Sequence, residues 1–183
     1  MKLIDTPLHG AYIVEQTLFQ DPRGSFLEIY NARAFDEAGL NLDFVQDNCS
    51  HSLGAGVLRG LHFQKDPHAQ AKLVWALTGK IYDVIVDLRE GSPTYLKWAA
   101  FELSSGLPCM LFVPRGYAHG FCTLEPDTRV FYKVDAPYAP SSECGIRWDD
   151  PDLAISWPVS SPLLSEKDSK LPLLKEIDLK SCV

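Results

Sequence analysis

The sequence predicts an all-β fold, an antiparallel sandwich or barrel with few and short helices at its periphery. From Phe44 onward, short runs rich in Val, Ile, Leu, Phe, Tyr and Trp recur at 44–51, 56–64, 71–77, 80–88, 95–103, 109–113, 118–123 and 128–135. Gly, Pro, Asn, Asp and Ser break these runs and hardly any helical period separates them, the pattern of strands joined by turns. No internal repeat, linker or low-complexity block interrupts the 183 residues, so the chain is expected to form a single domain, 1–183, with a sizeable core.

Ahead of this region, Ala11-Tyr12-Ile13-Val14 reads as a strand, Asp21-Pro22-Arg23-Gly24 as a loop and Ser25 to Tyr30 as a second strand. Asn31 to Ala38 is the one clear helix before the tail. Asn31 can cap it, Ala34, Phe35 and Ala38 give it an apolar side, and Gly39 can end it. In the 56–64 run a period of two puts Leu58, Gly60, His62 and Gln64 on one side and Arg59, Leu61 and Phe63 on the other. By the same count Lys72, Val74 and Ala76 share a side, as do Val130, Tyr132 and Val134. The tail from Pro151 is richer in Pro and Ser, and Leu163 to Leu174 is expected to pack back as short helical or irregular turns.

A formal net charge of -7 argues against general nucleic-acid or membrane-surface binding, since polyanions are not drawn to an acidic protein. An anionic small ligand would need a local cluster of Arg and Lys. The cysteines at 49, 109, 122, 144 and 182 are odd in number and lack paired-ligand spacing. With no secretory segment or membrane-length apolar run, the expectation is reduced thiols in a cytoplasmic protein.

The stretch from Gly56 to Leu77 carries His62 and Lys72 on strand-like runs. If their faces meet, an imidazole and an ammonium share one small space; taken singly, each also fits a satisfied core histidine or a snorkelling lysine. Tyr132 is either a wall tyrosine with a bonded hydroxyl or a phenol facing that space. Asp168, in Leu164-Ser165-Glu166-Lys167-Asp168, is either part of a charged tail or a carboxylate that orients an imidazole. Cys122 follows His119 by three residues, which on a strand puts them on opposite faces and argues against a Cys-His nucleophile.

Pro114-Arg115-Gly116-Tyr117-Ala118-His119 has the form P-x-G-x-x-H and resembles the second motif of the cupins, small jelly-roll barrels. The first cupin motif supplies an H-x-H pair and a nearby Glu. Here His62-Phe63-Gln64 lacks the second His, and no Glu follows within ten residues. His62 and His119 alone fall short of the three protein ligands of a catalytic metal site, so a metal-free pocket is expected; His68, on a Lys-Asp-Pro-His turn, reads as solvated.

Along nearly its whole length the chain resembles the dTDP-4-dehydrorhamnose 3,5-epimerases. The matching segments are Asp21-Pro22-Arg23-Gly24, Val45-Gln46-Asp47-Asn48, Val57 to His62, Gln70 to Val74, Asp83 to Leu88, Gly116 to Phe121, Glu143-Cys144-Gly145-Ile146, Trp148 with Asp150-Pro151, and Leu164 to Asp168. The resemblance implies a homodimeric, cofactor-free and metal-independent cupin-type jelly roll acting on a nucleotide-diphosphate-linked 4-keto-6-deoxyhexose. It makes His62 the base, Asp168 its orienting partner, Tyr132 the acid on the opposite sugar face and Lys72 the enolate-stabilising cation. Arg23 and Arg59 would hold the diphosphate, and Glu28, Gln46, Asn48, His119, Tyr138, Glu143 and Lys167 would be further ligand contacts. Because dimers of the family exchange N-terminal strands, Arg23 and Glu28 are placed to serve a partner's site. Departures are modest: Gly54-Ala55 lengthens the turn before His62, and Cys49 and Cys144 stand where polar or charged residues are common. A single-centre epimerase on a dTDP- or CDP-linked keto sugar fits the same residues. A non-catalytic sugar-nucleotide binder would lack the acid-base set, and a metal-dependent oxygenase would need the missing H-x-H pair.

Overall fold

Runs that alternate apolar and polar side chains can bury one face, and here they form strands that close on one another. The computed structural model describes residues 1–179, so Cys182 lies outside the described residues. Four short strands open the chain: β1 (Lys2–Asp5), β2 (Tyr12–Glu15), β3 (Leu18–Asp21) and β4 (Gly24–Leu27). The helix α1 (Ala32–Glu37) follows; the Asn31 side chain accepts from the Ala34 N–H, and Gly39, at φ 86°, ends it as expected. The eight apolar runs become β5 (Gln46–Ser52), β6 (Leu58–Gln64), β7 (Lys72–Thr78), β8 (Lys80–Asp87), β9 (Trp98–Ser104), β10 (Cys109–Val113), β11 (Tyr117–Thr123) and β12 (Thr128–Val134). A short β13 (Glu143–Gly145) comes last, before two single 3-10 turns at Asp168–Lys170 and Leu174–Glu176.

Strands β5 to β12 behave as one long hairpin rolled on itself. Its antiparallel pairs are β5 with β12, β6 with β11, β7 with β10 and β8 with β9. Rolling splits these pairs between two sheets, ordered β1-β2-β10-β7-β12-β5 and β13-β6-β11-β8-β9, which is a jelly roll. Val74, Ile81, Ile85, Leu111, Tyr117, Phe121 and Val130 fill the space between the sheets. Phe35 and Leu40 cover the outer face of the larger sheet over Leu73, Trp75, Met110 and Phe112. Ile146, Leu153 and Leu174 do the same for the smaller sheet over Leu61, Phe63, Val84 and Val86, so the tail does pack back on the barrel.

Three expectations are corrected. Ser25 to Tyr30 is a strand only to Leu27, pairing with β3 in a hairpin whose Phe19 and Phe26 are 58% and 68% exposed. Residues 95–97 turn before β9 begins: Leu96 has φ 58° and its N–H bonds to the Asp87 carbonyl. Arg59 is not turned away from His62. Between the His119↔His62 and Phe121↔Arg59 pairs, β6 spends one residue more than β11, and this bulge reverses the alternation. Gly60 (φ 126°) permits it, since a Cβ there would lie 2.5 Å from Gly120 Cα.

Candidate active site

A cavity of about 260 Å³ opens between the sheets. The smaller sheet contributes Arg59 and His62 from β6 and His119 and Phe121 from β11; the larger contributes Ser50 from β5, Lys72 from β7 and Tyr132 from β12. Ser165, Lys167 and Asp168 of the tail close one side. His62 and Lys72 therefore do meet, because rolling the hairpin brings β6 and β7 to facing sheets.

His62 Nε2–H donates to Asp168 Oδ1 at 2.6 Å. Asp168 is 4% exposed. Burial would raise its pKa, but the His62 bond, the His62 charge once the imidazole has taken a proton, and donors at Ser165 and the Gly60 N–H hold it below the usual carboxylate range. As an ionised acceptor it fixes the tautomer, leaving Nδ1 as the nitrogen able to take a proton. The imidazole side chain stays 30% exposed, so a ligand can reach it.

Lys72 is 8% exposed, and burial pushes its ammonium down to about 8, against the opposing charges of Asp83 and Glu143. Burial likewise raises the Tyr132 phenol, with Arg59 opposing and Glu143 assisting, so at neutral pH it keeps its proton. Arg59 is held by Ser52 Oγ at 3.3 Å and by the His51 carbonyl at 3.1 Å. Beside it in the cavity, the Ser50 hydroxyl is buried with no hydrogen-bond partner, as expected of a group that a ligand oxygen would satisfy. His119 Nε2 lies 2.9 Å from both oxygens of Asp83.

From the cavity-lining Lys167 a polar chain leads outward through Glu143, Tyr138, Gln46 and Asn48, none of which is among the side chains lining the cavity itself. Tyr138 donates its hydroxyl to Glu143 at 2.8 Å and its N–H to Gln46 Oε1 at 3.0 Å, and Gln46 Nε2 donates to Asn48 at 2.8 Å. Glu143 pairs with Lys167 at 2.5 Å, and this pairing, with the Tyr138 bond and the charge of His62, outweighs burial and keeps it ionised. Arg23 and Glu28 do not join the cavity. Arg23 lies at the tip of the exposed β3–β4 hairpin, its side chain 90% exposed and paired with Asp21. His68 is exposed as expected, and Cys122 is fully buried with its thiol pushed up to about 11, so it is no nucleophile. Among the described residues no three His, Cys, Asp or Glu side chains gather as a metal site. Ser50, Phe121, Ser165 and Asp83 were not singled out from sequence. For Asp83 the available signal was a carboxylate in step with Ile81 and Ile85 along β8.

A cupin-type jelly roll that gathers a braced imidazole, a phenol and a buried ammonium around one cavity holds the groups for proton transfer at carbon, the chemistry of isomerases of the racemase and epimerase class. The sequence profile described as dTDP-4-dehydrorhamnose 3,5-epimerase matches residues 5–176. The chain belongs to this family. It is 46% identical over 169 residues to the dTDP-4-dehydrorhamnose 3,5-epimerase of Shigella flexneri, covering 92% of this chain and 93% of the relative. The crystal structure of the Bacillus anthracis enzyme with TDP and PPi bound superposes with a TM-score of 0.93 at 52% identity, covering 94% of this chain and 99% of that one. The Legionella pneumophila enzyme, solved in complex with dTDP-4-keto-L-rhamnose, gives 0.92 at 41% identity, covering 98% and 95%.

Proposed function

We propose that this chain inverts C3 and C5 of dTDP-4-dehydro-6-deoxy-D-glucose to give dTDP-4-dehydro-L-rhamnose. The observation that carries this reading is the placement of His62, held by Asp168 of the tail, on one sheet and of Tyr132 and Lys72 on the facing one, around a single cavity. A proton beside a ketone becomes acidic when the developing oxyanion is stabilised, and the buried Lys72 ammonium supplies that charge in a water-poor space. His62 Nδ1 removes the proton from one sugar face, and the neutral Tyr132 returns one from the other, which inverts the carbon. Carbon-hydrogen bonds are broken and remade with no net oxidation, so the chemistry requires neither redox cofactor nor metal.

Arg59 and the unpartnered Ser50 hydroxyl supply the local recognition of a diphosphate that an acidic protein needs. His119 contacts the sugar, while Tyr138, Glu143, Lys167, Gln46 and Asn48 line the way in for the nucleoside. The ligands named for the Bacillus and Legionella relatives support a thymidine nucleotide. Arg23 and Glu28 act in the cavity of a second copy: they lie outside their own, on a hairpin whose exposed Phe19 and Phe26 suit burial in a homodimer. The working unit is then one domain per chain, 1–183, in the cytoplasm; no helix among the described residues is long and apolar enough to cross a membrane.

The test is proton NMR of the sugar ring after incubation with the dTDP-linked 4-keto substrate. Changed couplings at both C3 and C5 are expected; change at one centre alone makes this a single-centre epimerase, and none removes the assignment. Tyr132→Phe separates the two proton transfers: exchange of the α-protons with solvent continues while the rate of inversion falls by about 10²-fold or more. Equal loss of both would take the acid role away from Tyr132. Asp168→Asn offers His62 an amide able to present the wrong partner, and kcat is expected to fall by about 10²–10⁴-fold with KM little changed. An unaffected kcat would show that the carboxylate does not orient the base.

A further inference from the structure

Asp83 sits in the middle of β8, on the inward side with Ile81 and Ile85. It is 0% exposed. A carboxylate at such a position costs several kcal/mol in desolvation unless partners compensate it, and an aliphatic residue would fill the barrel floor without that cost. Its compensation comes from the cavity. His119 Nε2 reaches both carboxylate oxygens at 2.9 Å, the forked contact an N–H makes with an ionised carboxylate. The Lys72 ammonium shares that cavity, and the Asp83 charge acts on it without a direct hydrogen bond or ion pair. Both groups are themselves buried, at 7% and 8% exposure, and both line the pocket.

We propose that Asp83 is a positioning residue of this site: it fixes His119 with Nε2–H on the carboxylate and Nδ1 left for the sugar, and it is the buried anion of the cavity that His119 and Lys72 share. The proposal rests on the epimerase reading above and assigns the polarity of its catalytic floor.

The groups around Lys72 show why a counter-charge is needed. From β6 come His62 and Arg59, from β11 His119, from β12 Tyr132, and from the tail Lys167 and Asp168. The acids acting on Lys72 by charge are Asp83 and, from β13, Glu143. Glu143 is engaged by Lys167 and Tyr138, and the Asp168 carboxylate by His62. Asp83 is the buried carboxylate whose hydrogen bonds run to the cavity histidine and whose charge also acts on Lys72. Burial drives Lys72 toward the neutral amine, which cannot stabilise an enolate as an ammonium does, and Asp83 opposes that drift.

The experiment compares wild type, Asp83→Asn and Asp83→Glu. Steady-state turnover is measured from about pH 6 to about pH 10, and Lys72 and His119 are followed in the ligand-free proteins by NMR of isotope-labelled lysine and histidine. For Asp83→Asn, kcat at neutral pH falls at least about tenfold with KM within about threefold. The descending alkaline limb moves down by about one pH unit, matched by the Lys72 titration, and His119 loses its fixed Nε2–H tautomer. Asp83→Glu keeps the charge but misplaces it, so kcat falls while the alkaline limb stays near its wild-type position; this variant carries the test if the asparagine form does not fold. A uniform loss at every pH, with the limb, the Lys72 titration and the His119 tautomer unmoved, would overturn the proposal and leave Asp83 a structural carboxylate. Absence of turnover in the wild type would instead overturn the epimerase reading, and the ligand-free titrations would still decide the role of Asp83.

Discussion

Replacing His62 by alanine is expected to lower epimerisation by about 10²–10⁴-fold, with substrate affinity largely retained. Asp168 holds His62 Nε2 at 2.6 Å, so the imidazole has one orientation and one free nitrogen facing the cavity. His119 has its own Nε2 committed to Asp83, on the neighbouring strand β8 of the same sheet, so its imidazole is oriented separately from that of His62. Lys72 is an ammonium near neutral pH. The truncation leaves the buried Asp168 carboxylate without its main partner, so the melting temperature is expected to fall, and activity is compared at a temperature where the variant is folded. The readout is solvent exchange at C3 and C5: loss at both carbons fits one base serving both, and exchange that survives at either would assign that carbon to another group.

The second large effect is at Lys72. Lys72→Met should cost about 10²–10³-fold in kcat, the scale of a lost oxyanion donor. Its sign on stability is opposite. A lysine whose folded pKa lies near 8, below its ordinary value, is held charged at a cost in the native state. That cost is fully present below about pH 8 and is relieved as pH rises through the folded pKa toward the unfolded one. Methionine removes it, so the variant should melt no lower than wild type at neutral pH while being nearly inactive. For the wild type, activity should decline as pH rises through about 8, since the ammonium is lost before the raised phenol of Tyr132 ionises. A variant both inactive and strongly destabilised would point to a structural lysine.

The strands from β5 to β12 could be read from sequence because alternation and turn residues act locally, and α1 because Asn31 and Gly39 mark its ends. β1 and β13 were not legible. Each is three or four residues long with no pattern of its own, and each exists because a neighbouring strand offers an open edge. The convergence of His62, Lys72, Tyr132 and Asp168 is not a property of any one segment. It follows from the rolled hairpin, which sets β6 opposite β7 and β12, and from the tail folding back; the family resemblance supplied it where periodicity could not. Arg59 was misplaced because a single extra residue in β6 reverses the alternation. Asp83 was overlooked because in sequence it looks like one more polar break in an apolar strand, and its burial appears only once β11 brings His119 beside it.

The most direct measurement is the number of deuterium atoms incorporated when the protein turns over dTDP-4-dehydro-6-deoxy-D-glucose in heavy water. Two deuterium atoms per product molecule, one at C3 and one at C5, both lost in the His62→Ala protein, are the expected result. Deuterium at one carbon only, or at neither, would contradict inversion of both centres by this site.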